Sequence, residues 1–207
     1  MDIQAYKNNC PADFSDQSKV WIYQSNRLFS ISEAFEIDQI LQDFIGSWKS
    51  HGAPVKGFAN LFYGQFIVLM ADESATTVGG CSTDSSVHVI KKIEQLCKVD
   101  LFNRQNLAFY IKDKVELLPL AQFNYALENQ FIQLDTPYFN NTVATKGSWM
   151  KEWIIPVQES WLASRIKKQY NTRLGNTRFY ILAPVDFLAT AGVFCTILFN
   201  WKLIDIR

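Results

Sequence analysis

Chemically reactive side chains are concentrated in residues 78–89, where two glycines precede a thiol, four hydroxyls, a carboxylate and an imidazole. A helical pattern begins within this stretch. Backbone N–H groups at a helix start are unpaired and lie at the positive end of the helix dipole, so they suit an anion or a reactive thiolate. The stretch therefore predicts a ligand-binding site or a thiol-based site.

One hypothesis for this stretch is an enzyme in which Cys81 is the nucleophile and His88 is its base. A helix N-terminus can lower the pKa of a thiol below its usual value of about 8.5. Asp84 lies four residues before His88 on the same helix face, so its carboxylate could orient the imidazole. Contact between Cys81 and His88 would require the loop to fold back.

The hypothesis that we favour from the sequence is a non-catalytic module that binds a protein partner or a small anionic ligand. In the simplest interpretation, Cys81 is a small packed residue and Ser82 or Asp84 caps the helix. The groups expected to contact a ligand are the glycine and the hydroxyls of the stretch, which are Gly80, Ser82, Thr83, Ser85 and Ser86.

Few other side chains suggest chemistry. Asp72 and Glu73 adjoin the stretch and could act as general bases or as ligands of an oxygen-preferring cation, but no third ligand is evident. A polar strand exit is the favoured interpretation. His51 is expected to satisfy carbonyls at a helix C-terminus. The sequence predicts no metal site and no cofactor.

The composition is that of a cytoplasmic globular protein without a nucleic-acid partner. Of 207 residues, 48% are apolar and 14% aromatic, enough for a sizeable core. Twenty basic and twenty acidic residues cancel, and no basic stripe offers a footprint for DNA or RNA. The first residues lack a signal-peptide pattern. The four cysteines fit neither a CxxC pair nor a disulfide framework, so we expect reduced thiols.

Hydrophobic periodicity predicts an α+β fold. The helix that begins after Ser30 has capping-box spacing with Glu33. The expected elements are a strand at 20–24, a helix at 31–50, a hairpin of 58–63 and 65–70, a helix at 84–98, a hairpin of 107–111 and 115–118, and a short helix at 120–129. This order predicts a split βαβ (ferredoxin-like) arrangement, with one mostly antiparallel sheet over 20–118 and two helices on one face.

The predicted organisation has four parts. Residues 1–19 lack periodicity and form a loosely held leader, and residues 20–162 form a single domain. Within that domain, residues 135–162 are aromatic and irregular and are expected to wrap around the sheet. Residues 163–178 form a basic linker, and residues 179–201 form an apolar tail.

The apolar tail leaves two interpretations open. Its 23 residues are long enough to span a bilayer, and the basic residues before it would keep the domain cytoplasmic. Asp186 opposes a span, because a carboxylate at the bilayer centre costs about 2.5–3.5 kcal/mol. The tail could equally dock on the domain. A third functional hypothesis is therefore an accessory protein tethered to the membrane.

Several segments also carry a family resemblance over about residues 10–162. They are 20–24 (VWIYQ), 48–52 (WKSHG), 71–74 (ADES), 80–87 (GCSTDSSV), 101–104 (LFNR) and 153–156 (WIIP). In this order they resemble an uncharacterised protein family of the Bacteroidota, whose members are often labelled "ABC transporter ATPase". The resemblance implies no established activity. The chain lacks the GxxxxGK[ST] loop that cradles nucleotide phosphates, which argues against ATP hydrolysis by that mechanism.

Overall fold

A computed structural model describes residues 3–166, so most of the predicted basic linker and the whole apolar tail lie outside the described residues. The described part is an α+β fold with antiparallel sheets, as predicted. The strands are β1 (Lys19–Gln24), β2 (Lys49–Ser50), β3 (Ala53–Pro54), β4 (Lys56–Phe62), β5 (Phe66–Asp72), β6 (Asn106–Ile111), β7 (Lys114–Pro119), β8 (Pro137–Phe139) and β9 (Ile154–Pro156). The α-helices are α1 (Ile31–Ser47), α2 (Gly80–Cys97), α3 (Phe123–Glu128) and α4 (Lys146–Glu152).

The first sheet has the strand order β1-β5-β4, with both pairs antiparallel. All seven residues of the central strand β5 are buried, because both faces of this sheet are covered. Ile67 and Leu69 of β5 pack in one cluster with Leu41 of α1 and Ile90 of α2, so both helices cover the same face. That packing removes apolar surface from water, which is the main stabilising contribution to the fold.

Helix α1 begins where the capping box predicts. The Ser30 hydroxyl accepts a hydrogen bond from the Glu33 backbone N–H at 3.2 Å, and the Glu33 carboxylate accepts one from the Ser30 N–H at 2.7 Å. The helix ends three residues earlier than predicted, because Lys49–Ser50 pair with Ala53–Pro54 as a short hairpin. Both longer predicted hairpins are confirmed, as β4–β5 and β6–β7.

The prediction of a single sheet over residues 20–118 is wrong. Strands β6 and β7 belong to a second sheet with the order β7-β6-β8-β9. One side of β6 pairs with β7 and the other with β8, so β6 has no free edge for β1. The outer edge of β1 instead contacts the segment before α4, where the Val20 N–H donates to the Ala144 carbonyl at 2.9 Å.

The two sheets meet at an aromatic core. Ala108 of β6 and Phe139 of β8 pack with Val68 and Met70 on the face of the first sheet opposite α1 and α2. Trp149 and Trp153 fill this interface and are fully buried. Leu107 and Phe109 point to the other face of the second sheet, where they pack against α3.

The segments predicted as leader and wrapping segment belong to this core. Tyr6 is only 2% exposed, and its ring lies 4.7 Å from that of Trp149 and 4.8 Å from that of Trp153. Tyr6, Phe14 and Ser18 of the predicted leader are buried, so these residues anchor the segment to the fold. The prediction that residues 135–162 are irregular is also wrong, since they contain β8, α4 and β9. Strands of three residues are too short to show a period of two in the sequence.

None of the helices in residues 3–166 is both long enough and apolar enough to cross a membrane. The prediction of a membrane-spanning tail concerns residues outside this range.

Candidate functional site

Helix α2 begins earlier than the sequence suggests. Gly79 is its N-cap, so the prediction of a cap at Ser82 or Asp84 is wrong. Gly79 has extended backbone angles and no side chain, and its carbonyl accepts a hydrogen bond from the Thr83 N–H at 3.1 Å. Glycine is an accepted N-cap residue, and the hydroxyl residues that follow it lie inside the first turns.

All four hydroxyls of the predicted site donate to carbonyls of the same helix start. Ser82 and Thr83 donate to the Gly79 carbonyl at 2.9 and 3.0 Å, Ser85 to the Cys81 carbonyl at 2.9 Å, and Ser86 to the Thr83 carbonyl at 2.7 Å. Such bonds are the common local use of Ser and Thr in helices. Ser82 and Ser86 are also buried. The hydroxyl protons are thus used within the helix rather than offered to an anion.

The backbone amides at the same helix start remain open. Within the described residues, neither the Gly80 N–H nor the Cys81 N–H donates a hydrogen bond. Both residues are exposed, and a Cβ added to Gly80 would meet no atom within 4 Å. These amides and the helix dipole are the groups of the predicted site that could contact a small anion.

The structure does not assemble the predicted thiol site. Cys81 and His88 are seven positions apart on one helix, which places them roughly 10 Å apart along its axis. His88 Nδ1 lies 2.7 Å from the backbone carbonyl oxygen of Asp84, so the ring donates to the main chain rather than to the Asp84 carboxylate. Cys81 is exposed.

His51 lies close to the start of α2 and not at the end of a helix, so the expectation for it is wrong. It sits in the turn between β2 and β3, and a Cβ on Gly79 would be 3.0 Å from its Nε2 atom. This turn positions the helix start, because Ser50 Oγ donates to the Thr77 carbonyl at 2.7 Å. Trp48 Nε1 also donates to the Ser82 carbonyl at 3.0 Å.

We expect native-state alkylation to distinguish the thiols at the two ends of α2. Cys81 is exposed, whereas Cys97 is buried and its pKa is raised by that burial. Iodoacetamide near neutral pH should therefore modify Cys81 well before Cys97, because the thiolate is the reactive form. Peptide mass spectrometry over a time course measures both rates. Equal rates would contradict the exposure of the α2 start.

Asp72 and Glu73 have structural partners. The Asp72 carboxylate accepts hydrogen bonds from the Ser74 N–H at 3.0 Å, the Lys56 ammonium at 3.2 Å and the Ser15 N–H at 3.3 Å. Burial by itself raises the pKa of Asp72, but these bonds lower it to about 2. Glu73 accepts from the Val78 N–H at 2.7 Å. Among residues 3–166, no group of three His, Cys, Asp or Glu side chains is placed to hold a metal ion.

A second candidate site lies at the junction of the two sheets, and the sequence analysis does not identify it. A cleft of about 100 Å³ opens between the end of β1, the loop that follows α2, and the chain after β8. Its lining comes from four segments, within residues 22–24, 101–107, 138–142 and at Trp161. Aromatic walls with a few convergent polar groups are typical of ligand sites.

Arg104 provides the charge at this cleft. Its side chain is exposed, and it has neither an ion pair nor a hydrogen bond within residues 3–166. Burial raises the pKa of the neighbouring Tyr23, while the positive charge of Arg104 and a hydrogen bond with Ser86 act in the opposite direction. The Phe102 ring meets the Tyr23 ring edge to face, with centroids 5.6 Å apart.

The floor of the cleft is held by a chain of side-chain hydrogen bonds. Gln24 Nε2 donates to the Asn106 carbonyl at 3.1 Å, and its Oε1 accepts from Asn141 Nδ2 at 2.8 Å. Asn141 Oδ1 in turn accepts from Trp153 Nε1 at 3.0 Å. This network fixes the amides of Gln24 and Asn141, and Arg104 is the charged group that lines the cleft.

The scattered lining explains why sequence patterns miss the cleft. Its residues lie up to 139 positions apart (Ile22 to Trp161), so no motif of fixed spacing joins them. The one local signal is an Asn103-Arg104 pair in the loop between α2 and β6, which resembles an ordinary polar loop.

Comparisons of this chain with protein-family models, curated proteins and solved structures return no match. The family resemblance therefore rests on the quoted sequence segments alone.

Proposed function

We propose that this protein is a non-catalytic module that binds a small anionic ligand, with the cleft beside Arg104 as the binding site. The observation that carries the proposal is an unpaired guanidinium at the rim of an aromatic cleft. A guanidinium presents planar donors that match a carboxylate or phosphate bidentately and also stacks on aromatic rings. The cytoplasm remains the proposed location, from the sequence features alone.

The size of the cleft narrows the ligand class. An engineered protein cavity of about 150 Å³ binds one benzene ring. A cleft of about 100 Å³ that is open on one side therefore suits a single planar ring. The ring would lie near Tyr23, Phe102 and Trp161, with its anionic group toward Arg104. A small aromatic carboxylate contains both the planar ring and the anionic group.

The start of α2 is the second candidate for an anion, as the sequence predicts. Its support is the pair of open amides at Gly80 and Cys81. It lacks apolar walls and a fixed cation, so it suits a compact anion such as phosphate more than an aromatic one. The thiol-enzyme alternative is supported by the exposure of Cys81, and the tethered accessory protein by the apolar sequence of the tail.

Arg104→Gln should weaken binding of benzoate, used as the probe, by roughly 10- to 100-fold, because a hydrogen bond to a charged group contributes about 1.5–3 kcal/mol. Isothermal titration calorimetry of the full chain measures this. The matched control is Lys91→Gln, which removes one exposed positive charge on α2 and should leave the affinity unchanged. Equal affinities of wild type and Arg104→Gln would reject the cleft.

Gly80→Pro tests the second candidate independently. Proline is favoured at the first helical position, and the extended backbone of Gly79 is compatible with a following proline. The substitution therefore removes one amide donor while preserving the helix. Weaker phosphate binding in Gly80→Pro, with full binding in Arg104→Gln, would assign the anion site to the start of α2.

A further inference from the structure

An apolar groove lies on the face of the second sheet that carries Phe109, and it shares no lining residue with the cleft. It has a volume of about 550 Å³ and runs between the β6–β7 hairpin and the chain that follows α3. Its apolar walls include Phe109, Ile111, Leu118 and Ile132. Phe131 lines the same groove and is 66% exposed. An exposed apolar surface of this kind marks a binding surface in soluble proteins.

The charges at the groove are mostly positive. The charged residues that line it are Lys112, Lys114 and Glu116, which are two ammonium groups and one carboxylate. Neither lysine forms an ion pair or a side-chain hydrogen bond within the described residues. A partner that carries one negative charge among apolar side chains would complement this surface.

The described chain ends beside this face. Ile166, the last described residue, packs on the same cluster as Phe109, Ala126 and Ile132, which line the groove. Twelve residues, 167–178, separate Ile166 from the apolar tail. Fully extended, they reach about 40 Å, more than the roughly 30 Å diameter of a small domain. The length of residues 167–178 therefore allows the tail to reach the groove from Ile166.

We propose that the groove binds an apolar part of residues 179–201 of the same chain, with Asp186 paired to Lys112 or Lys114. Asp186 is the single charged residue between Phe179 and Trp201. A carboxylate is expensive at the centre of a bilayer but is stabilised beside two unpaired ammonium groups. Linkage to the same chain also gives the tail a high effective concentration at the groove.

The native thiol Cys195 reports on the tail in the full-length protein. If the tail occupies the groove, Cys195 in the monomer should react with iodoacetamide more slowly than the exposed Cys81, which is the internal reference. Peptide mass spectrometry gives both rates, and light scattering after gel filtration gives the mass. Vesicles of phosphatidylcholine with phosphatidylglycerol then test for lipid binding by flotation.

Charge reversal tests the pairing. The double variant Lys112→Glu with Lys114→Glu should raise the Cys195 rate about five-fold, because the ion pair is lost and like charges face Asp186. Adding Asp186→Lys should restore slow alkylation, which distinguishes pairing from general damage to the fold. The control is Lys91→Glu with Lys92→Glu, two exposed lysines on α2, which should not change the rate.

Four results would overturn the proposal. Alkylation of Cys195 as fast as that of Cys81 in the monomer would show that the tail is not covered. Protection that requires vesicles, together with flotation, would assign the tail to the membrane. Protection in a dimer alone would assign it to a second copy. Unchanged protection after charge reversal would place the tail on another surface. Failure of benzoate binding would leave this proposal unaffected, because the groove and the cleft share no lining residue.

Discussion

Trp153→Ala is expected to lower the free energy of unfolding by about 3–5 kcal/mol, the usual loss when a fully buried aromatic side chain is truncated. Trp153 is fully buried at the interface of the two sheets. Its ring centroid lies 5.2 Å from that of Trp149, 5.7 Å from that of Phe66 and 4.8 Å from that of Tyr6. Alanine would leave a cavity among Trp149, Phe66 and Tyr6. These residues belong to separate parts of the fold, so they cannot all move to fill it.

Urea unfolding followed by circular dichroism measures this loss. Trp161→Ala is the control, since Trp161 is 38% exposed and should lose markedly less stability. If Trp153→Ala does not fold, Trp153→Phe retains much of the ring and lacks the hydrogen bond to Asn141. That variant should lose about 1–3 kcal/mol. A loss below about 1 kcal/mol for Trp153→Ala would contradict the role of the aromatic interface.

The parts of the fold that the sequence predicts correctly are those encoded locally. The capping box of Ser30 and Glu33 needs only four consecutive residues, and it defines the start of α1 as predicted. Each hairpin joins neighbouring strands, β4 with β5 and β6 with β7, through a short turn. Hydrophobic periodicity and turn residues carry that information within about fifteen residues.

The second sheet depends on contacts between distant residues, which local patterns do not encode. Phe109 pairs with Tyr138 across 29 positions of the sequence, and Tyr6 contacts Trp149 across 143. Because β6 pairs with β7 on one side and β8 on the other, it cannot join the first sheet as the prediction of a single sheet requires. Trp149 and Trp153 pack with residues of both sheets, and the periodicity of single segments does not reveal such contacts.

The candidate sites likewise combine features that are encoded locally with features that depend on contacts between distant residues. The sequence correctly indicates that a helix begins within residues 78–89, but it places the cap three to five residues too late and assigns ligand-binding roles to hydroxyls that bond to their own helix. The orientation of a hydroxyl is decided by local competition for backbone carbonyls, which residue types alone do not show. The cleft at Arg104 forms only where both sheets meet, so it needs the complete fold.

Asp72→Asn is expected to lower the free energy of unfolding by about 2–3 kcal/mol near neutral pH, because charge-assisted bonds are replaced by a mismatched amide. The Asp72 carboxylate is buried and accepts bonds from Lys56 and from two backbone N–H groups. The matched control is Asp13→Asn. Asp13 contacts the same ammonium at 2.9 Å but is 73% exposed, so its loss should be below about 1 kcal/mol.

The pH dependence identifies the carboxylate directly. The folded-state pKa of Asp72 is about 2, below the ordinary value of 3.8, so its contribution to stability is complete above pH 4 and is lost as the pH falls toward 2. The pKa of Glu33 is also about 2, but Glu33 titrates in both wild type and Asp72→Asn. Its effect therefore cancels in the stability difference between them. The stability difference between wild type and Asp72→Asn should therefore shrink between pH 4 and pH 2, which urea unfolding at several pH values measures. A constant difference over this range would show that Asp72 stabilises the fold by packing and not as a charged acceptor.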